Sequence, residues 1–200
     1  ELSQRWMRVA GADNGVHIQG NHCRIERVDA VCNRTIGIYV GATFATLINC
    51  LACGTTSTAD GTGIYVATAN ASIANCTVDG NGKYGVRTGS FTGTLSLRNN
   101  IIRADGAGTY AMYWDTGVTL DSDYNGFCVA DGARLISLGG GGSGYIGTLE
   151  VWRTMRGQDV HSVSADPLFV DSANADFHLQ STAGSYHDGL WTKDAADSLC

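Results

Sequence analysis

Five residues that recur at intervals of 22 or 26 positions carry side chains suited to binding sugars. They are His17, Tyr39, Tyr65, Arg87 and Tyr113. Each stands between two residues that are apolar in nearly every copy, as in a short strand whose alternate side chains point outward. Aromatic rings stack on sugar rings and arginine binds carboxylates, so this outward column predicts a polysaccharide-binding surface. The alternative is that loops or a helix pack over the rings.

Three Asp-Gly tracts, which begin at Asp60, Asp79 and Asp105, offer carboxylates. If the tracts stack, their carboxylates would lie close enough to share Ca²⁺ or to raise one another's pKa. Asp-Gly is also a common turn dipeptide that needs no ligand. Each Asp precedes a tyrosine by five residues, but the second of these, Tyr84, conflicts with the register of the strands, which favours turn chemistry.

An enzyme built on these residues would take one of two forms. A lyase would use Arg87 as a base beside a uronate, with Asp79 and Asp105 holding a cation. A glycoside hydrolase would need two carboxylates that flank the scissile bond. Neither set forms a tight motif, and no Ser-His-Asp arrangement has a recognisable local context. For the hydrolase, Asp79 and Asp105, or Asp115, could serve, and the sequence assigns no catalytic residue beyond such candidates.

The repeat of short strands predicts the architecture. Copies of the outward column alternate with a second series of strands around Ile48, Ile73 and Leu97. Two interleaved series with a mean period near 24 residues predict an all-β fold, a right-handed parallel β-helix whose coils are stabilised by stacking on their neighbours. The repeating coils would occupy about residues 10–138.

Two inward columns and one polar column follow from this fold. The first inward column contains Val16, Ile38, Ile64, Val86 and Met112, and the second contains Ile18, Val40, Val66, Thr88 and Trp114. Asn49, Asn75 and Asn99 recur with the second series, so we expect them to stack and to satisfy turn backbone groups through their amides.

The C-terminal part, about residues 139–200, departs from the period and is expected to cap the solenoid. The glycine run 139–142 predicts an exposed loop. A short amphipathic helix is expected at 148–156, with Thr148 as its N-cap and Gly157 after its end. The residues of this helix expected to face the solenoid are Leu149, Trp152 and Met155.

A final coil is expected after the helix, with strands near 167–170 and 177–179. Together with the coils before it, this coil would complete a single domain over residues 1–200.

The motifs of this last part are Asp159–Ser162, Asp166–Asp171 and Asp176–Ser181, preceded by Asp123–Gly126 and by the helix that holds Trp152. They resemble the C-terminal signature of bacterial secreted right-handed β-helix repeat proteins, which are pectate-lyase-like in fold. The resemblance implies a secreted or cell-surface location and carbohydrate partners, without implying an enzyme. It also implies further sequence beyond Cys200, so we expect the chain to be a piece of a larger protein.

Composition excludes several classes of function. The net charge is −6 and the lysines are Lys83 and Lys193, which leaves no basic footprint for nucleic acid. No apolar run is long enough to span a membrane. The seven cysteines contain one lone CxxC pair, Cys50 and Cys53, so buried apolar roles are favoured over a zinc site. We expect no cofactor, with Ca²⁺ as the one ion that the aspartates would suit.

Three functions are compatible with these features. The leading prediction is a non-catalytic, polysaccharide-interacting module of a secreted or surface protein. The alternatives are a polysaccharide lyase or glycoside hydrolase, and a stalk or filament unit that associates end to end.

Overall fold

The computed structural model describes residues 7–140, 144–187 and 189–200. The chain winds into a parallel β-solenoid of about six turns, with one short helix near its C-terminal end. The predicted class of fold is therefore confirmed, whereas the right-handed sense of the winding stays a prediction.

Each full turn contributes one strand to each of three sheets. Sheet A is parallel throughout and contains β1 (Met7–Ala10), β4 (Val28–Val31), β7 (Leu51–Cys53), β10 (Thr77–Asp79), β13 (Ile101–Asp105), β16 (Gly126–Ala130) and β19 (Val163–Ser164). Sheet B contains β2 (Asn14–Ile18), β5 (Ile36–Val40), β8 (Thr62–Val66), β11 (Tyr84–Thr88), β14 (Tyr110–Asp115), β17 (Arg134–Gly139) and the antiparallel β18 (Tyr145–Ile146). Sheet C contains β3 (Arg24–Glu26), β6 (Thr46–Ile48), β9 (Ala71–Ala74), β12 (Thr94–Arg98) and β15 (Thr119–Asp123).

Both predicted inward columns of sheet B lie in register along the axis of the solenoid. In the first column, Ile38, Ile64, Val86 and Met112 are fully buried, and Val16 is half-buried at the first turn. All members of the second column are buried. Burial of each large aliphatic side chain contributes about 1.5–3 kcal/mol, so the stacked columns supply much of the stability.

The predicted asparagine column is aligned, but its predicted role is wrong. Asn49, Asn75 and Asn99 are exposed, with φ values of 53°, 53° and 55°. This left-handed conformation turns the chain sharply and points the amide outward, so the residue that follows in each turn points inward instead.

The inward residues form a buried polar column, here called the turn ladder, made of Cys50, Cys76, Asn100, Asn125 and Ser162. Each rung after Cys50 accepts a hydrogen bond from the backbone N–H of the rung before it. The distances are 3.4 Å from Cys50 N to Cys76 Sγ, 2.9 Å from Cys76 N to Asn100 Oδ1, 2.9 Å from Asn100 N to Asn125 Oδ1 and 2.8 Å from Asn125 N to Ser162 Oγ. The ladder thereby pairs backbone donors that the turns bury.

Helix α1 (Leu149–Arg156) closes the C-terminal end of the solenoid. The Thr148 hydroxyl accepts a hydrogen bond from the backbone N–H of Val151, and Gly157 ends the helix in the left-handed conformation, as predicted. Trp152 is buried edge-on against Trp114 of the last complete turn, with ring centroids 5.4 Å apart. No helix in the described ranges is long and apolar enough to cross a membrane.

Two details around this helix differ from expectation. Met155 is 56% exposed, because the contacts of the apolar face end with Trp152 and the last turn of the helix meets solvent. Gly139 is buried at the end of β17 rather than in a loop, and the rest of the predicted glycine loop includes positions 141–142, which lie outside the described residues.

The predicted final coil is wrong, although its strands lie close to where they were expected. Strand β20 (Phe169–Asp171) pairs antiparallel with β21 (Asp176–Leu179), and β22 (Ser185–His187) with β23 (Leu190–Thr192). Hairpins satisfy much of their backbone hydrogen bonding internally, so they need not stack on the solenoid. This C-terminal segment, residues 165–187 and 189–200, lies beside the outer face of sheet A, and clefts of about 710 and 620 Å³ lie between them.

Candidate functional site

The structure places the five residues of the predicted outward column in one register on the outer face of sheet B. His17 is exposed and the other four are half-buried. The His17 and Tyr39 rings meet edge-on with centroids 4.4 Å apart, and the Tyr39 and Tyr65 centroids are 5.3 Å apart. In the part of the chain that the structure describes, every aromatic or cation–π contact of this column is with another residue of sheet B.

Glycines of neighbouring turns make room for the rings. A Cβ atom on Gly139 would lie 2.0 Å from the Tyr113 hydroxyl oxygen, and one on Gly89 would lie 2.9 Å from that of Tyr65. The two tyrosines therefore lie along the sheet, over the strand end of the next turn. A flat ring held in this way suits stacking against a planar ligand face.

Arg87 lies among three of these tyrosines. Its guanidinium carbon is 5.2 Å from the ring centroid of Tyr65, 5.4 Å from that of Tyr84 and 5.3 Å from that of Tyr113. The distances fall within the range of cation–π attraction, which contributes about 0.5–2 kcal/mol per contact. Stacking of Tyr84 on Tyr110, at 5.8 Å between centroids, continues the cluster.

Among the residues that the structure describes, none accepts a hydrogen bond from the Arg87 guanidinium. Its Nε atom is buried and has no hydrogen-bond partner, and none of the ion pairs among the described residues includes it. A buried donor without a partner costs about 1–3 kcal/mol. Because Nε itself is buried, an oxyanion brought by a ligand would meet the Nη atoms of this guanidinium, which have no acceptor among the described residues.

The charge of sheet B favours such a ligand. Its described strands contain two arginines, Arg87 and Arg134, and one carboxylate, Asp115. Asp115 is 5% exposed and accepts hydrogen bonds from the Ser90 hydroxyl (2.6 Å) and the Gly117 backbone N–H (3.0 Å). The outer face is thus locally positive in a chain whose net charge is −6.

Four residues of this surface were not among the predicted site residues: Tyr84, Tyr110, Arg134 and Tyr145. Tyr84, Tyr110 and Arg134 share one register, and the Arg134 guanidinium lies 3.6 Å from the Tyr145 ring centroid. Burial raises the pKa of Tyr84 although the neighbouring Arg87 lowers it, so the hydroxyl stays protonated at neutral pH and can donate. The signal for Tyr84 and Tyr110 was their common spacing of five residues after Asp79 and Asp105.

The three predicted aspartates do not converge on a metal site. Arg103 lies between two of them, with Nη1 3.2 Å from Asp79 Oδ1 and Nη2 2.7 Å from Asp105 Oδ2. Asp60 is exposed ahead of β8 and accepts a hydrogen bond from the Ser57 hydroxyl at 2.6 Å. Across the described ranges, no group of three or more His, Cys, Asp or Glu side chains could hold a metal ion. A guanidinium thus takes the place predicted for Ca²⁺.

Arg87 does not join these carboxylates either. It lies on the outer face of sheet B, whereas Asp79 and Asp105 end strands of sheet A. The grouping that a lyase would need is therefore not assembled from these three residues.

The cleft of about 710 Å³ is a second polar region, between sheet A and the C-terminal segment. Asp29 lies in its wall, and burial raises the pKa of this carboxyl although Arg8 lowers it. Opposite, His178 Nδ1 lies 2.5 Å from Asp176 Oδ1. Two similar pairs occur elsewhere: His187 with Asp194 in the C-terminal segment, and His161 with Asp123 of β15. Such repetition favours a structural role of these pairs over catalysis.

Replacing Arg103 with methionine is expected to lower the free energy of unfolding most strongly at neutral pH. Burial raises the pKa of Asp79 in the folded state, while Arg103 partly offsets this. Ionisation of Asp79 therefore opposes folding above the unfolded pKa, and more so without Arg103. Urea denaturation should show the deficit of the variant shrinking as the pH falls through the raised pKa of Asp79.

The matched control is Arg98→Met, because Arg98 pairs with the exposed Asp121. Surface pairs of this kind contribute about 0–1 kcal/mol, so this variant should change little at any pH. A deficit for Arg103→Met that is the same from neutral to acidic pH would show that Asp79 does not depend on the guanidinium.

Comparisons of the chain with family models, curated proteins and solved structures give no match. Its function must therefore be inferred from the chemistry of its own surfaces.

Proposed function

We propose that this protein is an extracellular polysaccharide-binding module, and that the outer face of sheet B binds a chain of acidic sugars. The observation that supports the proposal most strongly is the environment of the Arg87 guanidinium. Its guanidinium lies among three tyrosine rings, its Nε atom has no acceptor, and no described carboxylate pairs with it.

Acidic sugars match both features of this surface. The carboxylate of a uronate accepts two parallel hydrogen bonds from a guanidinium, and the pair is stronger than a neutral hydrogen bond. The apolar face of a sugar ring stacks on an aromatic ring such as Tyr39 or Tyr65. Successive turns repeat at about 4.8 Å, so neighbouring rings of the column can contact one extended chain.

A polymer is the better match than a single sugar because the surface is long and open. The column spans five turns in register, from His17 to Tyr113, and Arg134 with Tyr145 extends the surface beyond it. Many weak stacking contacts along one chain add up to useful affinity.

The secreted or surface location and the pectate-lyase-like relationship belong to the same proposal. Their support is the resemblance of the C-terminal motifs to bacterial secreted β-helix proteins. Binding without catalysis is favoured over the lyase and hydrolase alternatives, because the carboxylates predicted to act with Arg87 lie on sheet A and are bridged by Arg103. End-to-end association as a stalk or filament stays a prediction.

A matched pair of ligands tests the proposal. We expect the protein to bind polygalacturonate and to bind its fully methyl-esterified form at least about ten-fold more weakly, which is about 1.4 kcal/mol. The esterified polymer keeps the sugar rings but removes the charge, so the difference reports on the carboxylates. Binding to the acidic polymer should also weaken with added salt.

The measurement is isothermal titration calorimetry, with alginate as a second acidic polymer. Equal affinity for the acidic and esterified forms would contradict recognition of the carboxylate. Failure to bind either acidic polymer, with the protein folded, would contradict the proposed function.

A further inference from the structure

Cys50 and Cys76 are consecutive rungs of the turn ladder, at equivalent positions of two successive turns. They immediately precede the paired residues Leu51 and Thr77, and the Thr77 backbone N–H donates to the Cys50 carbonyl oxygen at 2.9 Å. Equivalent residues of neighbouring strands lie about 4.8 Å apart. Disulfides span Cα separations of about 4.4–6.8 Å, so this pair meets the requirement.

The two cysteines are also buried in direct contact with each other. The Cys76 sulfur lies 3.4 Å from the Cys50 backbone nitrogen, and the two residues are 1% and 3% exposed. All seven cysteines of the chain are free thiols in this structure.

The environment makes Cys50 the more reactive thiol. A hydrogen bond from the Cys76 side chain lowers the pKa of Cys50, and the same contact raises that of Cys76. Burial instead raises the pKa of Cys53 to about 12. Thiolates are the nucleophiles of disulfide exchange, so the thiol whose pKa is lowered is the one expected to attack first.

Cys50 can be reached from the cleft between sheet A and the C-terminal segment. It contributes to the lining of this cleft, whose volume is about 710 Å³, beside Leu51 and Asn49. A small reagent that enters the cleft would therefore meet Cys50 before the more deeply buried Cys76.

We propose that Cys50 and Cys76 form a reactive dithiol, which a low-molecular-weight disulfide oxidises to an intramolecular disulfide joining two successive turns. The Cys50 thiolate attacks one sulfur of the small disulfide, whose S–S bond breaks and releases one thiolate. Cys76 loses its proton to water, and its sulfur attacks Cys50, which expels the second thiolate. Two protein thiols are thus oxidised by two electrons, and the small disulfide is reduced to two thiols.

A second pair of neighbouring cysteines supplies an internal comparison. Cys32 lies beside Gly54, where a Cβ atom would be 3.5 Å from the Cys32 sulfur, while Cys53 pairs with Val31. Cys32 and Cys53 are therefore out of register by one residue, and Cys32 is exposed whereas Cys53 is buried. We therefore expect the disulfide to join Cys50 to Cys76 and not Cys32 to Cys53.

The experiment treats the reduced, folded full chain with 2-hydroxyethyl disulfide, followed by alkylation under denaturing conditions and peptide mapping by mass spectrometry. We expect one cross-linked peptide pair containing Cys50 and Cys76, whereas exposed thiols such as Cys32 and Cys200 form mixed disulfides with the reagent. Cys76→Ser should instead accumulate a mixed disulfide at Cys50, and the control Cys53→Ser should leave the cross-link unchanged.

The result on the unsubstituted chain decides the matter even if a variant fails to fold. Full alkylation of both Cys50 and Cys76 after treatment, with circular dichroism unchanged, would overturn the proposal. So would a cross-link that joins Cys50 to any other cysteine.

Discussion

Replacing Asp159 with alanine is expected to lower the free energy of unfolding by about 3–5 kcal/mol, because several buried donors would lose their acceptor. Asp159 is 1% exposed. Its Oδ1 accepts hydrogen bonds from Ser162 Oγ (2.6 Å), Ser122 Oγ (2.9 Å) and Asn125 Nδ2 (3.2 Å). Its Oδ2 accepts one from Trp152 Nε1 at 2.8 Å.

These contacts join the cap to the solenoid. Ser122 belongs to sheet C, Asn125 and Ser162 are rungs of the turn ladder, and Trp152 belongs to the helix that closes the end. Loss of the carboxylate would therefore loosen the cap and expose the last complete turn. Urea denaturation followed by tryptophan fluorescence measures the effect.

The matched control is Asp121→Ala, on the same strand as Ser122. Asp121 is exposed and pairs with Arg98 at the surface, so its loss should cost less than about 1 kcal/mol. Equal denaturation midpoints for the Asp159 and Asp121 variants would show that the buried carboxylate does not hold the cap.

Replacing Arg87 with methionine is expected to weaken binding to polygalacturonate by about 10- to 100-fold. Methionine keeps an unbranched apolar stem among the tyrosine rings but removes every donor. A hydrogen bond to a charged group contributes about 1.5–3 kcal/mol, which corresponds to this range of dissociation constants. Arg87→Lys should retain part of the affinity, because it keeps the charge and loses the planar fork.

Calorimetric titration of each folded variant measures the effect, with Arg34→Met as the control. Arg34 is exposed and pairs with Asp13, and it lies outside the strands of sheet B. Binding should be unchanged in this variant apart from a small general charge effect. Unchanged affinity in Arg87→Met would rule out the guanidinium as the ligand-binding group.

The period of the sequence predicted much of the fold and half of the candidate surface. Alternation of apolar and polar residues determines which side chains point inward, so the buried Ile38 and Ile64 and the outward Tyr39 and Tyr65 could be identified from spacing. The same reasoning failed at Asn49, because a left-handed residue interrupts the alternation and the next residue, Cys50, points inward.

The positions of Asp79, Asp105 and Arg103 could not be predicted, because the connections between strands differ in length from turn to turn. The pairing of Thr77 with Ile101 spans 24 residues, whereas that of Tyr84 with Tyr110 spans 26. Two extra residues between sheets A and B therefore shift Asp105 relative to Asp79, and Arg103 comes to lie beside both. A single repeat length cannot show such a shift.

The C-terminal segment escaped prediction for another reason. Strands of a hairpin and strands of a solenoid turn have the same alternation, so Phe169 and Phe177 fit either one. Their rings pack edge-on against each other at 5.0 Å within the antiparallel pair. Only the three-dimensional structure shows that these strands pair with each other beside sheet A.

The central claim is that the Arg87 guanidinium binds a sugar carboxylate on sheet B. The most direct measurement is a nuclear magnetic resonance titration of the arginine Nε–Hε signals with an oligogalacturonate. We predict that the Arg87 signal moves more than any other, with smaller shifts at Arg134. Movement of the Arg8 or Arg103 signals beside sheet A, with Arg87 unchanged, would contradict the account.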